Sequence, residues 1–181
     1  MNHYGGKELA SSFRTVRGNT LKVAEDIPEE KYSYRAAPDT RTVGELLTHI
    51  AVSKAFQEQL HVKEKRTTME GFDFPALMQQ MMAEEKKSRT KTEIIELLRK
   101  NGEDWATWLE GTSDAFLAES ITMPLGGSPA SRTRFDMLLS VKEHEMHHRA
   151  QLMLIERIIG VVPHLTRDRQ ARMASQQAAK K

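Results

Sequence analysis

The 181-residue chain contains no cysteine. That absence removes disulfide frameworks, cysteine-based zinc sites and a cysteine nucleophile together, so any metal has to be held by His, Asp or Glu. Long apolar runs are missing as well. Hydrophobic residues make up 39% and charged residues 29%, mean hydropathy is -0.57, and no stretch approaches the ~20 consecutive apolar residues of a membrane span. The first residues, Met1-Asn-His-Tyr-Gly-Gly-Lys-Glu8, show no basic segment followed by an apolar one, so no secretory signal is read and a cytoplasmic protein is expected. There is no fixed-period repeat and no Gly-rich phosphate loop, and only scattered segments of three or four residues suit a strand. A parallel sheet with a nucleotide site is not expected.

What is present fits one hydrophobic core. The formal charge of +2 and pI near 8.8 hint at a nucleic-acid partner, but the distribution removes the hint. From Arg167 to Lys181 the chain holds five basic residues and one acid; the remainder holds 22 basic and 24 acidic residues. The basicity belongs to a Gln- and Ala-rich tail with little to bury. Two units follow: a helical domain over residues 1–165 and a basic tail over 166–181, expected to fray. Neither nucleic acid nor membrane is expected as a partner.

Apolar residues recur at spacings of three and four in four segments, the signature of amphipathic helices around a common core. The first runs from about Gly6 to Ile27 on Leu9, Phe13, Val16, Val23 and Ile27, interrupted by Thr20 and stopped by Pro28. The second starts at Thr42, which forms a capping box with Glu45, and extends to about His61 on Leu46, His49, Ser53, Phe56 and Leu60. A loop over His61 to Phe74 leads to a shorter helix around Ala76 to Lys87. The third long helix starts near Thr90, boxed with Glu93, buries Ile94, Leu98, Trp105 and Trp108, and stops at Gly111. Residues Thr112 to Ser131 include Met123-Pro-Leu-Gly-Gly-Ser-Pro129 and form a long connection. The last helix spans about Thr133 to Ile159 and closes at Gly160. The fold class predicted is all-α, a four-helix bundle with a long loop before the last helix, and bundles build their sites from inward side chains on facing helices.

On the last helix the predicted buried stripe is Met137, Val141, His144, His148, Gln151, Ile155 and Ile158. Two imidazoles four residues apart share a face and can converge on one cation. His49, on the seam of the second helix, supplies a third. Three imidazoles without a thiolate suit Zn, Ni, Fe, Co or Cu, and three protein ligands leave positions open for water or substrate. The bland alternative is a buried polar network. His147 lies about a hundred degrees from His148 and is placed beside the site or in solvent. His3, His61 and His164 fall outside helix interiors and are expected at the surface. Arg134 and Arg149 could attract an acidic cofactor, against the simpler reading of solvated helix-surface charges.

Two stretches then carry a resemblance: Tyr32-Ser-Tyr-Arg-Ala-Ala-Pro-Asp-Thr-Arg-Thr-Val-Gly-Glu-Leu-Leu-Thr-His49 and His144-Glu-Met-His-His148-Arg-Ala-Gln-Leu152. They resemble the DinB family, the DinB/YfiT-like metalloenzyme superfamily, over nearly the whole chain to about Gly160. The family pattern of one His on the second helix, His-x-x-x-His on the last and then Arg-x-Gln implies His49, His144 and His148 as metal ligands. It further implies a transferase that joins a small thiol, bacillithiol- or mycothiol-like, to an electrophile, with Zn or Ni as the ion and a homodimer as the assembly. The electrophile is expected to enter from the side of the loop Met123 to Ser131. A metal-binding stress-response bundle without turnover is the alternative. A third reading takes His144-Glu145-x-x-His148 as a zincin signature with Glu145 as general base. It lacks the downstream ligand pattern, since Gln151 and Leu154 stand where Gly and His belong.

Overall fold

The computed structural model describes residues 4–179; His3, Lys180 and Lys181 lie outside the described residues. Helix α1 spans Gly6–Asp26, α2 Val43–Val52, α3 Ala55–Glu58, α4 Phe74–Glu85, α5 Lys91–Glu110, α6 Asp114–Ala118, α7 Arg134–Ile158 and α8 His164–Ala178. Strands β1, Ser120–Thr122, and β2, Ser131–Thr133, form an antiparallel hairpin that pairs Ile121 with Arg132. The bundle proper is α1, α2 with its continuation, α5 and α7. α1 packs on α5 and α7, and α2 packs on α4, α5 and α7.

Helix starts follow the side chains read as caps. The Thr42 hydroxyl accepts the Glu45 N–H at 3.1 Å while the Glu45 carboxylate accepts the Thr42 N–H at 2.7 Å, satisfying two of the donors that open α2. Thr90 and Glu93 do the same for α5, and Thr133 caps α7 through the Asp136 N–H. Asp73 caps α4 by accepting from Ala76, two residues earlier than the expected start. Gly160, at φ 85°, ends α7 in the left-handed conformation that glycine adopts without a steric penalty.

The second helix is not continuous. It breaks at Ser53 and Lys54, resumes as α3, and widens into a π-turn over Gln59–Lys63, where the Glu64 N–H donates to Gln59 O across five residues. The extra residue in that turn lets Leu60 and His61 both face inward. His61, expected at the surface, is therefore only 2% exposed: its Nδ1 meets Arg134 Nη1 at 2.7 Å and its Nε2 meets Gln57 Oε1 at 2.9 Å. Arg134 is buried as well, donating from Nε to Glu119 at 2.9 Å with its guanidinium over the Phe116 ring.

Two apolar clusters make up most of the core. One gathers Leu9, Phe13, Trp105, Leu109, Leu138 and Val141; the other gathers Val23, Ile27, Leu47, Leu98, Leu152 and Ile155. Trp105 is buried, whereas Trp108 is half-buried and stacks on it at 4.9 Å. Between the clusters lies a polar layer. There the Arg17 guanidinium binds the Glu145 carboxylate through Nε and Nη2 at 2.9 Å each and donates from Nη1 to Leu98 O. α5 makes room with Gly102, since a Cβ at that position would lie 2.8 Å from Arg17 Cγ.

The tail expected to fray contains helix α8. His164 at its start is buried rather than superficial, with Nε2 3.2 Å from Asn19 Oδ1, and Arg167 pairs with Asp26 of α1 at 2.6 Å. From Thr166 onward nearly every residue of α8 is exposed or half-buried, as its composition requires.

Candidate metal centre

α7 is rotated slightly from its expected seam. Its buried face runs through Leu138, Val141, Glu145, His148, Leu152 and Ile155, while Gln151 and Ile158 face outward. The rotation puts His144 and His148 at the edge of α7 nearest α2, where His49 meets them. The three ring centroids lie 4.5 to 4.9 Å apart. His144 Nε2 is 3.1 Å from His49 Nε2 and 3.1 Å from His148 Nε2, and one ligand atom from each ring falls within 4.8 Å of the others. Nitrogens sharing a tetrahedral zinc stand roughly 3.3 Å apart, given Zn–N bonds of about 2.0–2.1 Å.

The remaining ring nitrogens decide what the convergence means. His49 Nδ1 lies 2.6 Å from Glu85 Oε1, and His148 Nδ1 lies 2.8 Å from Gln151 Oε1. Both partners are acceptors, so this network assigns the proton to Nδ1 of each ring and leaves a lone pair on each Nε2. His144 Nε2 could offer at most one hydrogen to those two lone pairs. A hydrogen-bonded cluster is thus left short of donors, while a cation would accept all three nitrogens. The donor set fits a divalent transition ion, with the outer hydrogen bonds fixing tautomer and ring orientation as they do in metal sites.

Protonation states agree. Burial lowers the pKa of all three imidazoles, to about 4 for His144, where the neighbouring His148 and His49 and the Arg41 cation add to the effect. At His49 the Glu85 carboxylate opposes the shift without reversing it. Glu85 itself is pushed upward by burial but ends below its usual range, because Arg41 and His49 bond to it. Near neutral pH the cluster presents neutral rings, the form that binds metal.

Glu85 and Arg41 were not among the residues singled out from the sequence. Glu85 closes the short helix α4 in the run Glu84-Glu-Lys-Lys87, which resembles any solvated helix end. His147 is exposed; Gln151 Nε2 lies 3.3 Å from its Nε2, and its ring packs edge-on against His148 with centroids 4.9 Å apart. Arg149, expected in solvent, is half-buried and donates to Val16 O on α1. Neither it nor the buried Arg134 is the solvated helix-surface charge expected.

A cleft of about 750 Å³ opens beside the cluster, lined by the segment Arg35–Arg41, by α4 and by the C-terminal half of α7, with His148 and Glu85 in its wall. The loop Met123 to Ser131 is not part of that lining; this cleft opens over α4 and the C-terminal half of α7. The zincin reading fails on geometry. Glu145 is 1% exposed and both its oxygens are held by Arg17, which leaves it no access to a water near the histidines.

Residues 12–152 match the family model described as the DinB superfamily. The chain belongs to the DinB superfamily. Among solved structures it is similar to a DinB-like protein, YjoA of Bacillus subtilis, at 25% identity over 84% of this chain and 92% of that one, with a TM-score of 0.61. It also shares its fold with YfiT of Bacillus subtilis, described as a probable metal-dependent hydrolase with an unusual four-helix bundle topology. That match has 15% identity, 89% and 91% coverage and a TM-score of 0.67. No curated protein matches the chain. The DinB membership and the YfiT fold bear out the all-α bundle, and a three-histidine cluster with neutral rings suggests a divalent metal.

Proposed function

We propose that this DinB protein is a metal-dependent transferase that joins a small thiol to an electrophile, with Zn or Ni held by His49, His144 and His148. The observation that carries the reading is the convergence of three neutral imidazoles, one of which, His148, stands in the wall of a 750 Å³ cleft, in a chain without cysteine. Such an ion acts as a Lewis acid that lowers the pKa of a bound thiol or water. The chain's own residues do the rest. Glu85 and Gln151 orient two of the rings, and the apolar wall of the cleft shields the reacting groups from water. With no cysteine available, the sulfur arrives with the cosubstrate. Its S–H bond is given up, a C–S bond forms at the electrophilic carbon, and the leaving group departs with its bonding electrons and is protonated.

The test offers small thiols and an activated electrophile to protein loaded with Zn or Ni. A metal-dependent rate that disappears in His148→Ala is expected; a rate indifferent to that substitution sinks the transferase. Hydrolysis is the second reading, favoured by the description of YfiT, and it appears in the same assay as turnover without thiol. Metal binding with no turnover of either kind would leave a metal-binding bundle of the stress-response type.

A further inference from the structure

The Arg41 guanidinium is only partly used. Its Nε donates to Glu85 Oε2 at 2.7 Å, and among the described residues neither terminal nitrogen has a hydrogen-bond partner. Held by that one bond, the group lines the cleft with its side chain 39% exposed, close enough for its charge to act on all three imidazoles. A guanidinium anchored by Nε keeps its outer fork of two N–H groups for a planar two-oxygen acceptor. The surroundings add a charge argument. Three cationic side chains in the lining, Arg35, Arg41 and Lys86, face three anionic ones, Asp39, Glu45 and Glu85, so the wall is balanced. Any ion on the neutral histidines adds uncompensated positive charge, which favours an anionic ligand. Besides Thr40, Gln151 and His148 the remaining wall is apolar, chiefly Leu46, Met78, Met82, Leu154, Ile155 and Ile158. Of these Met82, Leu154 and Ile158 are 48%, 60% and 55% exposed, apolar surface that a ligand would cover.

We propose that the cleft binds an organic acid with an apolar body, its carboxylate on the outer fork of Arg41 beside the metal centre and its chain along the wall of α4 and α7. The inference rests on reading this cleft as the substrate side of the centre, and it names the ligand class that the reading leaves open. Arg41 is thereby a specificity determinant, because an isostere without the negative charge leaves the fork unmatched.

The probes are octanoate and its neutral counterpart octanamide, titrated calorimetrically into zinc-free and zinc-loaded protein. Wild type is expected to bind octanoate about tenfold more tightly than octanamide in the zinc-free state, the margin of a charge-assisted bidentate contact, and by at least that margin with zinc, whose charge adds to it. In the zinc-free state Arg41→Gln is expected to abolish the preference, with octanoate losing more affinity than octanamide. Arg41→Lys keeps the charge and a donor for Glu85 but not the fork, and should lose about threefold of the preference, which keeps the test open if the Gln variant folds poorly. Equal binding of the two probes by wild type overturns the proposal, as does a preference that survives both substitutions. A preference seen only with zinc and untouched by Arg41→Gln places the carboxylate on the ion and overturns it too. The zinc-free arm involves no thiol chemistry, so failure of the transferase reading is distinguishable from failure of this one.

Discussion

Glu85 accepts the Nδ1–H of His49 at 2.6 Å, across 36 residues of chain and from a different helix. This bond fixes which nitrogen of His49 faces the cluster and makes that nitrogen a stronger base. Glu85→Gln keeps the shape but offers a weaker acceptor and releases Arg41. Its zinc affinity, read by competition with a chromophoric chelator, is expected to fall about 10- to 100-fold with helicity unchanged. An affinity equal to wild type would mean that the carboxylate serves the fold alone.

Two adjacent histidines differ in what surrounds them. His148 is 9% exposed with Nε2 3.1 Å from His144, whereas His147 is exposed, meets Gln151 and packs only on the outer side of the His148 ring among the described residues. His148→Ala removes one of three donors and should abolish stoichiometric zinc in metal analysis of untagged protein. His147→Ala should bind one zinc with affinity within about threefold of wild type, the loss being confined to contacts on Gln151 and on the outer side of the His148 ring. The reverse pattern would move the centre by one residue along α7.

The three-histidine cluster was legible because periodicity records faces: His144 and His148 sit four apart, and His49 falls on the seam of α2. The partner Glu85 was not, because which helix end packs against His49 is a tertiary fact with no local trace. Arg17 and Glu145 are an intermediate case. Arg17 lies four after Phe13 and three before Thr20, and Glu145 lies four after Val141 and three before His148, so both occupy core positions of their helices. Opposite charges at seam positions of two helices were a readable signal, outweighed by the expectation that charges face water. His61 was misplaced for another reason: a π-turn shifts the face by one residue, and a 3.6-residue period cannot register it.

That buried pair yields a stability prediction. Arg17 and Glu145 are 4% and 1% exposed and bound to each other, so removing either leaves an unmatched charge in the core. Arg17→Met and Glu145→Leu should each cost about 3–5 kcal/mol in urea unfolding followed by tryptophan fluorescence. The double variant should recover most of that loss, because two apolar side chains of similar volume replace a desolvated pair. Strictly additive losses would show that the two side chains are not coupled.

Glu156 predicts a pH dependence. It is fully buried on α7, and among the described residues neither carboxylate oxygen has a hydrogen-bond partner. Burial raises its pKa to about 7, Asp26 of α1 adds to the rise, and Arg167 of α8 and Arg157 oppose it. A carboxyl whose folded pKa exceeds its unfolded one binds its proton more tightly when folded. Its contribution is therefore fully present below the unfolded value near 4.5 and is lost as pH climbs toward 7. Glu156→Gln removes the titration while keeping a neutral side chain of like size. The variant should be the more stable protein at pH 8, by about 1–2 kcal/mol or several degrees in Tm, and lose that advantage toward pH 5. The comparison is made as variant minus wild type at each pH, because the nearby His164, whose pKa burial lowers, destabilises both proteins alike on acidification. A difference that stays constant from pH 5 to 8 would show that Glu156 does not titrate in this range.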